Sequence, residues 1–388
     1  MYQQYDYIIA GAGAAGLSLA WKMLQTPLAE KKVLIVDADL DPQNDKTWCF
    51  WDNSEPPFSD IIYHTWNQVE VNSFGTLSTQ PLAEFSYYSL RSIDFRKKIL
   101  TTIRENPNFE LLEASISDLT TSSGKAVLHS AKRVFEAEYI FQSCFAPPQI
   151  QESDLHYPLL QHFLGWEINT HKSLFDASTF TLMDFDETFE KGLAFIYLLP
   201  WSSQTALVEY TIFSDQPVEQ EIYEEKLSLY LNNRFNLKPI DYSISRMEFG
   251  KIPMQDRPSV AWYKPRILNL GISGGITKPS TGYTFKRIQD HTDALINGLL
   301  KDGKPTFEAP STWRYKAYDL WLLQIIYDHP PDALEVFYHL FRNNSVDELF
   351  RFLGEETTVK QDLKIMTSVP YFPFLRAIWK TKDRLREL

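Results

Sequence analysis

Three groups of residues in this 388-residue chain have the types and spacing to do chemistry. The first is Gly11, Gly13 and Gly16 in "YDYIIAGAGAAGLSLAWKML", a G-x-G-x-x-G between a run of strand formers and a helix-forming segment. Gly11 permits a tight turn, Gly13 lets backbone approach a pyrophosphate, and Gly16 lets the helix pack on the strand. Ala12 and Ala15 complete the loop, and the helix N-terminus behind it faces the phosphates. A second strand-like run, "KKVLIVDAD", puts Asp37 about twenty residues beyond Gly16, where an acid grips a ribose hydroxyl. This spacing predicts a dinucleotide site.

The second group is a single residue. Glu209 is the one charge in "FIYLLPWSSQTALVEYTIF". An unpaired carboxylate in apolar surroundings costs on the order of several kcal/mol, or it takes up a proton. Glu209 therefore lies either on a wetted face or in the interior as a neutral acid. Strand alternation puts Leu207, Glu209 and Thr211 on one face and Ala206, Val208 and Tyr210 on the other.

The third group lies in "RILNLGISGGITKPSTGYTFKRIQDHTDALINGLL", which reads as strand, glycine turn and helix. Gly271, Gly274 and Gly275 let backbone approach a ligand, and Pro279 stiffens the turn. The amides around Ser280, Thr281 and Gly282 are expected to open a helix towards an anion. A purely structural turn is the competing reading. Arg91, at the start of "SIDFRKKILTTI", is either a cofactor contact or a solvated helix-start arginine.

These groups must be positioned by elements legible in the pattern. The N-terminal dinucleotide motif, followed by a long insertion before the glycine turn at 271–275, favours a tightly held FAD over NAD. Residues 1–60, 85–150 and 265–310 are expected to build a discontinuous Rossmann-type FAD-binding domain. Residues 61–84 and 151–264 are expected to form an antiparallel-sheet substrate domain, from runs such as "HFLGWEINT", "FTLMDFD" and "GLAFIYLLPW". Residues 311–388 turn helical and aromatic. The class is α/β, with the two-part architecture of FAD hydroxylases.

Composition narrows the function. The net charge of -12 argues against non-specific nucleic-acid binding. Two distant cysteines, Cys49 and Cys144, suit a reducing compartment and offer no metal spacing. The glycine motif begins almost at once, so no signal peptide is expected. No run reaches the ~18 apolar residues of a membrane span. A cytoplasmic chain without a transmembrane helix is expected. The 26 Phe, 20 Tyr and 10 Trp hint at an extended apolar ligand site.

The segments "GAGAAGLSLA", "KTWCFW", "LMDFD", "LVEYT" and "GGITKPSTGYTF", in this order, resemble the bacterial FAD-dependent lycopene beta-cyclase family over nearly the whole chain. "GKIPM" sits where that family has a similar turn. The resemblance implies a redox-neutral, acid-catalysed closure of lycopene end groups to β-rings, using reduced FAD with NADPH or NADH as reductant. It implies that Glu209 is the acid, with Asp184 of "LMDFD" as second acid or as a strand-end turn carboxylate. Trp48, Trp51, Tyr197, Trp201 and Tyr283 are the expected substrate contacts. Aromatic faces stabilise a cation by about 0.5–2 kcal/mol each. Expected partners are lycopene or a related carotenoid, a membrane lipid surface and other carotenoid enzymes.

One position departs from the family: Tyr210 stands where a second acid usually follows the glutamate. "NLGISGG" lacks the Asp that related FAD hydroxylases place after the strand, which favours the cyclases over the hydroxylases. The competing functions are an FAD-dependent monooxygenase or reductase acting on a large isoprenoid, and a non-catalytic carotenoid- or lipid-binding flavoprotein.

The C-terminal "VPYFPFLRAIWKTKDRLREL" combines an aromatic patch with Arg376, Lys380, Lys382, Arg384 and Arg386 against Asp383 and Glu387. It reads as a peripheral membrane anchor or as a segment docked on its own protein.

Overall fold

The computed structural model describes residues 3–131, 133–151 and 155–386, without the side chain of Arg386. From the N-terminus run β1 (Gln3–Ala10), α1 (Ala14–Leu24), β2 (Val33–Asp37) and β3 (Thr47–Asp52). Short strands follow, β4 (His64–Trp66), β5 (Gln68–Ser73), β6 (Thr76–Pro81) and β7 (Ser86–Arg91), then α2 (Ser92–Glu105). Next come β8 (Phe109–Glu113), β9 (Ile116–Ser122), β10 (Lys125–Ser130) and β11 (Val134–Gln142). Strands β12 (Pro158–Thr170), β13 (Thr179–Phe185), β14 (Leu193–Pro200) and β15 (Thr205–Ser214) precede α3 (Gln220–Phe235) and β16 (Tyr242–Gln255). Short β17 (Trp262–Lys264) and β18 (Ile267–Asn269) lead into α4 (Phe285–Asp302). The chain finishes with α5 (Trp313–Asp328), α6 (Pro330–Asn343), α7 (Val346–Leu353), α8 (Val359–Met366) and α9 (Tyr371–Thr381).

β1 sits inside a sheet ordered β17-β18-β11-β1-β2-β8, with β9 and β10 attached to β11. The pairs β1–β11, β1–β2, β2–β8 and β11–β18 are parallel. Both faces of this sheet are covered, which is why β1 and β2 read as apolar runs rather than alternating ones. On one face Tyr7 and Ile9 pack with Leu17 of α1, Ile99 of α2 and Leu295 of α4. On the other, Ile8 and Leu34 pack with Leu119 and Leu128 of the β9–β10 hairpin. This is the Rossmann-type unit read from the glycine motif.

The second sheet has the order β16-β12-β15-β14-β13-β5-β6. Its neighbours are antiparallel except for the parallel pair β5–β13. Residues 68–81 thus join strands far along the chain. The alternation in β15 sorts as its pattern predicts. Val208, Tyr210 and Ile212 pack under Tyr223 and Leu227 of α3. Leu207 and Phe213 face the other way, towards Leu323, Phe341 and Phe350 of the C-terminal helices. Glu209 shares that second face and is buried, so the wetted-face alternative is excluded. A third sheet, β3-β7-β4, carries the fully buried Trp66 and Tyr87.

One segment differs from its sequence reading. "GKIPM" is no turn but part of β16, paired with β12 from Pro158–Gln255 to Thr170–Tyr242. Pro253 misleads because proline reads as a breaker. β16 is the edge of its sheet, where a missing amide leaves no ladder bond unmade.

Candidate active site

A cavity of about 570 Å³ runs between the second sheet, β3 and the C-terminal helices. Towards the Rossmann-type unit it is lined by Gly13, Ala14, Ala15, Gly271, Thr281 and Gly282. Towards α6–α9 the lining is apolar, with Leu340, Phe341, Leu353, Met366, Val369 and Phe374. Glu209 is in the wall between these regions, with Tyr197, Tyr283, Trp48 and Glu248.

Register explains how the acids meet. Tyr197 of β14 pairs with Glu209 of β15, which pairs with Gly165 of β12, which pairs with Glu248 of β16. Residues in such a row project from the same face of a sheet. Gly165 leaves a notch in the row: a Cβ there would stand 2.7 Å from Glu209 Cγ and 3.2 Å from its Oε1. Glu209 Oε1 is buried without a hydrogen-bond partner. Burial first, and then the Glu248 carboxylate, push the Glu209 carboxyl well above its ordinary range, against a smaller pull from Arg246. Such surroundings favour the protonated form of the carboxyl.

Glu248 has a different environment. It is ion-paired with Arg246 and accepts from Thr47 Oγ1 at 2.9 Å. Arg246 Nε also meets Glu167 at 3.1 Å. Beside Glu209, Tyr87 links the hydroxyls of Tyr197 at 2.8 Å and Tyr283 at 2.9 Å.

The other predicted residues divide. Trp48, Tyr197 and Tyr283 line the cavity. Trp51 does not: it stacks behind the wall on Phe350, centroids 4.5 Å apart, and meets Tyr283 edge-on. Trp201 packs against Tyr63 and Trp66 away from the cavity. Asp184 is also misplaced as an acid. It pairs across β13–β5 with Asn72 and accepts from its amide at 2.8 Å, outside the cavity lining. Tyr210, the family departure, donates to Asp186 at 2.7 Å on the α3 face. A residue adjacent to Glu209 in a strand must point away from it, so an acid there would not enter the cavity.

The dinucleotide end fits FAD. Gly11 has φ +108°, and at Gly16 a Cβ would lie 1.9 Å from the Gly11 carbonyl. No side chain caps α1 at Gly13, and the space beside Gly13 is open, leaving the helix amides to a phosphate. Asp37 Oδ2 accepts from the Ala12 amide, which ties the glycine loop to the end of β2. At Gly271, φ is +53° and a Cβ would sit 3.0 Å from that of Ala15, so the two glycine loops meet. Thr281 Oγ1 is buried without a partner.

Three expectations change. The Thr281 and Gly282 amides donate to the Lys278 carbonyl, and α4 begins only at Phe285, so these amides are not free for an anion. Gly274 and Gly275 shape the turn through bonds to Leu270, Gly271 and Ile272 carbonyls and lie outside the cavity lining. Arg91 is held by Asp94 at 2.6 Å and lies over the Tyr63 ring. Arg96, one helical turn on, reaches the Ala12 carbonyl at 3.3 Å and has a buried Nε without a partner. Sequence reasoning missed Arg96, Glu248, Arg246 and Lys278; an alternating run in "YSISRMEFGK" was the available signal for the middle two.

The family model described as lycopene cyclase protein matches residues 6–379. A lycopene beta-cyclase of Pantoea ananas is 21% identical over 396 residues, covering 97% of this chain and 98% of that protein. Another, of Pseudescherichia vulneris, is 24% identical over 332 residues, covering 81% of this chain and 80% of that protein. Among solved structures, a flavoprotein/dehydrogenase from Cytophaga hutchinsonii superposes with a TM-score of 0.63 at 13% identity, covering 94% of this chain and 99% of that one.

Proposed function

The chain belongs to the lycopene cyclase family, and from that premise we propose that it is a lycopene beta-cyclase, an intramolecular lyase among the isomerases. It converts the linear ψ-ends of lycopene or a related carotenoid to β-rings, giving γ- and β-carotene. The observation that supports this reading is Glu209: a buried carboxyl, its Oε1 without a hydrogen-bond partner, in the wall of a cavity with an apolar end.

Glu209 gives its proton to the terminal double bond, leaving a tertiary cation. The neighbouring double bond attacks that cation and closes the six-membered ring, and loss of a ring proton leaves the β-end group. Trp48, Tyr197 and Tyr283, which line the cavity, are the aromatic side chains that would stabilise the cation. The apolar lining of α6–α9 excludes water, which would otherwise trap the cation as an alcohol. FAD would be held by the Gly11–Gly16 loop, Asp37, Arg96, Gly271 and Thr281. Kept reduced by NADPH or NADH, it would supply either negative charge that favours the cation or a relay for the proton.

Anaerobic incubation with lycopene and chemically reduced FAD, without NAD(P)H, tests the reaction class. Rings form over many turnovers with no net oxidation of the flavin. Consumption of one reductant per product would assign the chain instead to the monooxygenases or reductases.

We also propose a cytoplasmic location with peripheral docking on the membrane. Among the described residues no helix is long and apolar enough to span a bilayer. On α9, Tyr371, Phe372, Leu375 and Trp379 are all more than half exposed, while Phe374 lines the cavity. Exposed Leu363 of α8 neighbours Ile365 and Met366, which also line it. The apolar end of the cavity thus lies under an aromatic surface suited to a lipid interface. Three basic residues of this segment are not free charge. Arg376 pairs with Asp332, Lys380 with Asp328 and Arg384 with Asp256. The side chain of Arg386, with Glu387 and Leu388, lies outside the described residues. Docking therefore rests on the aromatic side chains. The triple variant Phe372→Ser, Phe374→Ser, Trp379→Ser loses most co-flotation with anionic liposomes; undiminished flotation would move the surface elsewhere.

A further inference from the structure

The notch at Gly165 brings together two buried glutamates, both pushed upward by burial, that differ in their partners. Glu209 Oε1 has no partner. Glu248 is gripped by Arg246 and Thr47. Two carboxylates sharing a buried site do not both ionise, and the one with the better-stabilised anion loses its proton first. We propose that Glu248 is a positioning residue for the reaction's proton: anchored by Arg246 and Thr47 across the gap at Gly165, it stays ionised and confines the pair's single proton to Glu209. This rests on the reading of Glu209 as the acid.

The other charged and titratable groups support this assignment. Tyr197, from β14, and Cys49, from β3, are both kept neutral by burial. Behind Arg246 stands Glu167 of β12. Lys46, Lys251 and the Lys278–Asp319 pair complete the charged lining. Among the described residues, only Arg246 ion-pairs with Glu248.

The arrangement also accounts for the return of the proton. When the Glu209 O–H bond breaks and a C–H bond forms on the polyene, a second carboxylate appears beside Glu248. Their repulsion makes Glu209 a stronger base, suited to take the proton released when the ring C–H bond breaks. The acid is regenerated, Glu248 neither gains nor loses a proton, and no electrons leave the substrate.

The test is the pH dependence of kcat in Glu248→Gln. Glu209 works protonated, so the rate falls as pH rises through its pKa. Removing the Glu248 charge, and leaving Arg246 without it, lowers that pKa. The falling limb should move to lower pH by about one unit or more, a roughly tenfold loss on the limb with KM little changed. Glu248→Asp, which keeps the charge, should restore the limb. A limb that stays in place in Glu248→Gln, with Glu209→Gln inactive, overturns the role of Glu248 alone. Activity in Glu209→Gln overturns the acid assignment itself. Should Glu248→Gln not fold, Gly165→Ala serves. Its Cβ fills the notch, and kcat should fall at least about tenfold with FAD binding kept; an unchanged kcat overturns the proposal.

Discussion

Glu209→Gln is expected to lower cyclisation by at least about a hundredfold, the scale of a lost general acid. Gln keeps the size and polarity of a neutral carboxyl but has no acidic proton. Stability should hold, because the native Oε1 has no hydrogen-bond partner to lose, and the variant removes a group that would be costly to ionise there. FAD binding should hold as well, since the side chain is absent from both glycine loops. Product formation from lycopene, with flavin content measured on the same sample, checks both halves. Retention of a tenth or more of wild-type turnover would remove Glu209 from the role. Glu248 would then be the next acid to test, because Asp184 does not line the cavity.

The second large effect is on stability. Lys278, in the turn between the glycines and α4, places Nζ 3.0 Å from Asp319 of α5 and 3.0 Å from Glu355. The three side chains are only 5%, 5% and 11% exposed. Arg287 adds a contact to Glu355 at 2.9 Å. Lys278→Met should destabilise the protein by about 3–5 kcal/mol, because buried carboxylates lose their counter-ion. Burial alone would raise the Glu355 pKa, but Lys278 and then Arg287 more than offset it and hold the pKa below its ordinary value. A carboxylate with a lowered folded pKa stabilises above its unfolded pKa, about 4.3, and that contribution fades as pH falls below it. The difference in Tm between wild type and Lys278→Met should therefore be largest near neutrality and shrink towards pH 3. A fall of less than about 2 °C at pH 7 would show that the network is not a stabilising one.

The site was unevenly legible. The Gly11–Gly16 loop could be read because its requirements are local: a turn with φ +108° and a Cβ clash at 1.9 Å are properties of a few adjacent residues. The face of Glu209 was legible for the same reason, since alternation along one strand needs no partner. Trp51 and Trp201 were misassigned because an aromatic in the wall and one behind it look identical in sequence. Arg91 and Arg96 open the same helix; Asp94, three residues on, takes the first locally, and only tertiary packing brings the second to the Ala12 carbonyl. The C-terminal basic residues counted as free charge until Asp328, Asp332 and Asp256 were brought beside three of them.

Sequence alone determined the Rossmann-type loop, the two-part α/β architecture and which residues share a face with Glu209, because turn sterics and strand periodicity are local; that this face is buried was decided by the helices packed on it. Tertiary structure decided which groups surround that acid. Gly165 and Glu248 are remote in the chain from Glu209 and join it only through the registers of β12 with β15 and β16. Register is set by the packing of whole strands, including an edge strand that its proline disguised. The proton's environment is thus a property of three strands paired in one alignment, and a one-residue slip in either ladder would turn one of the glutamates to the opposite face.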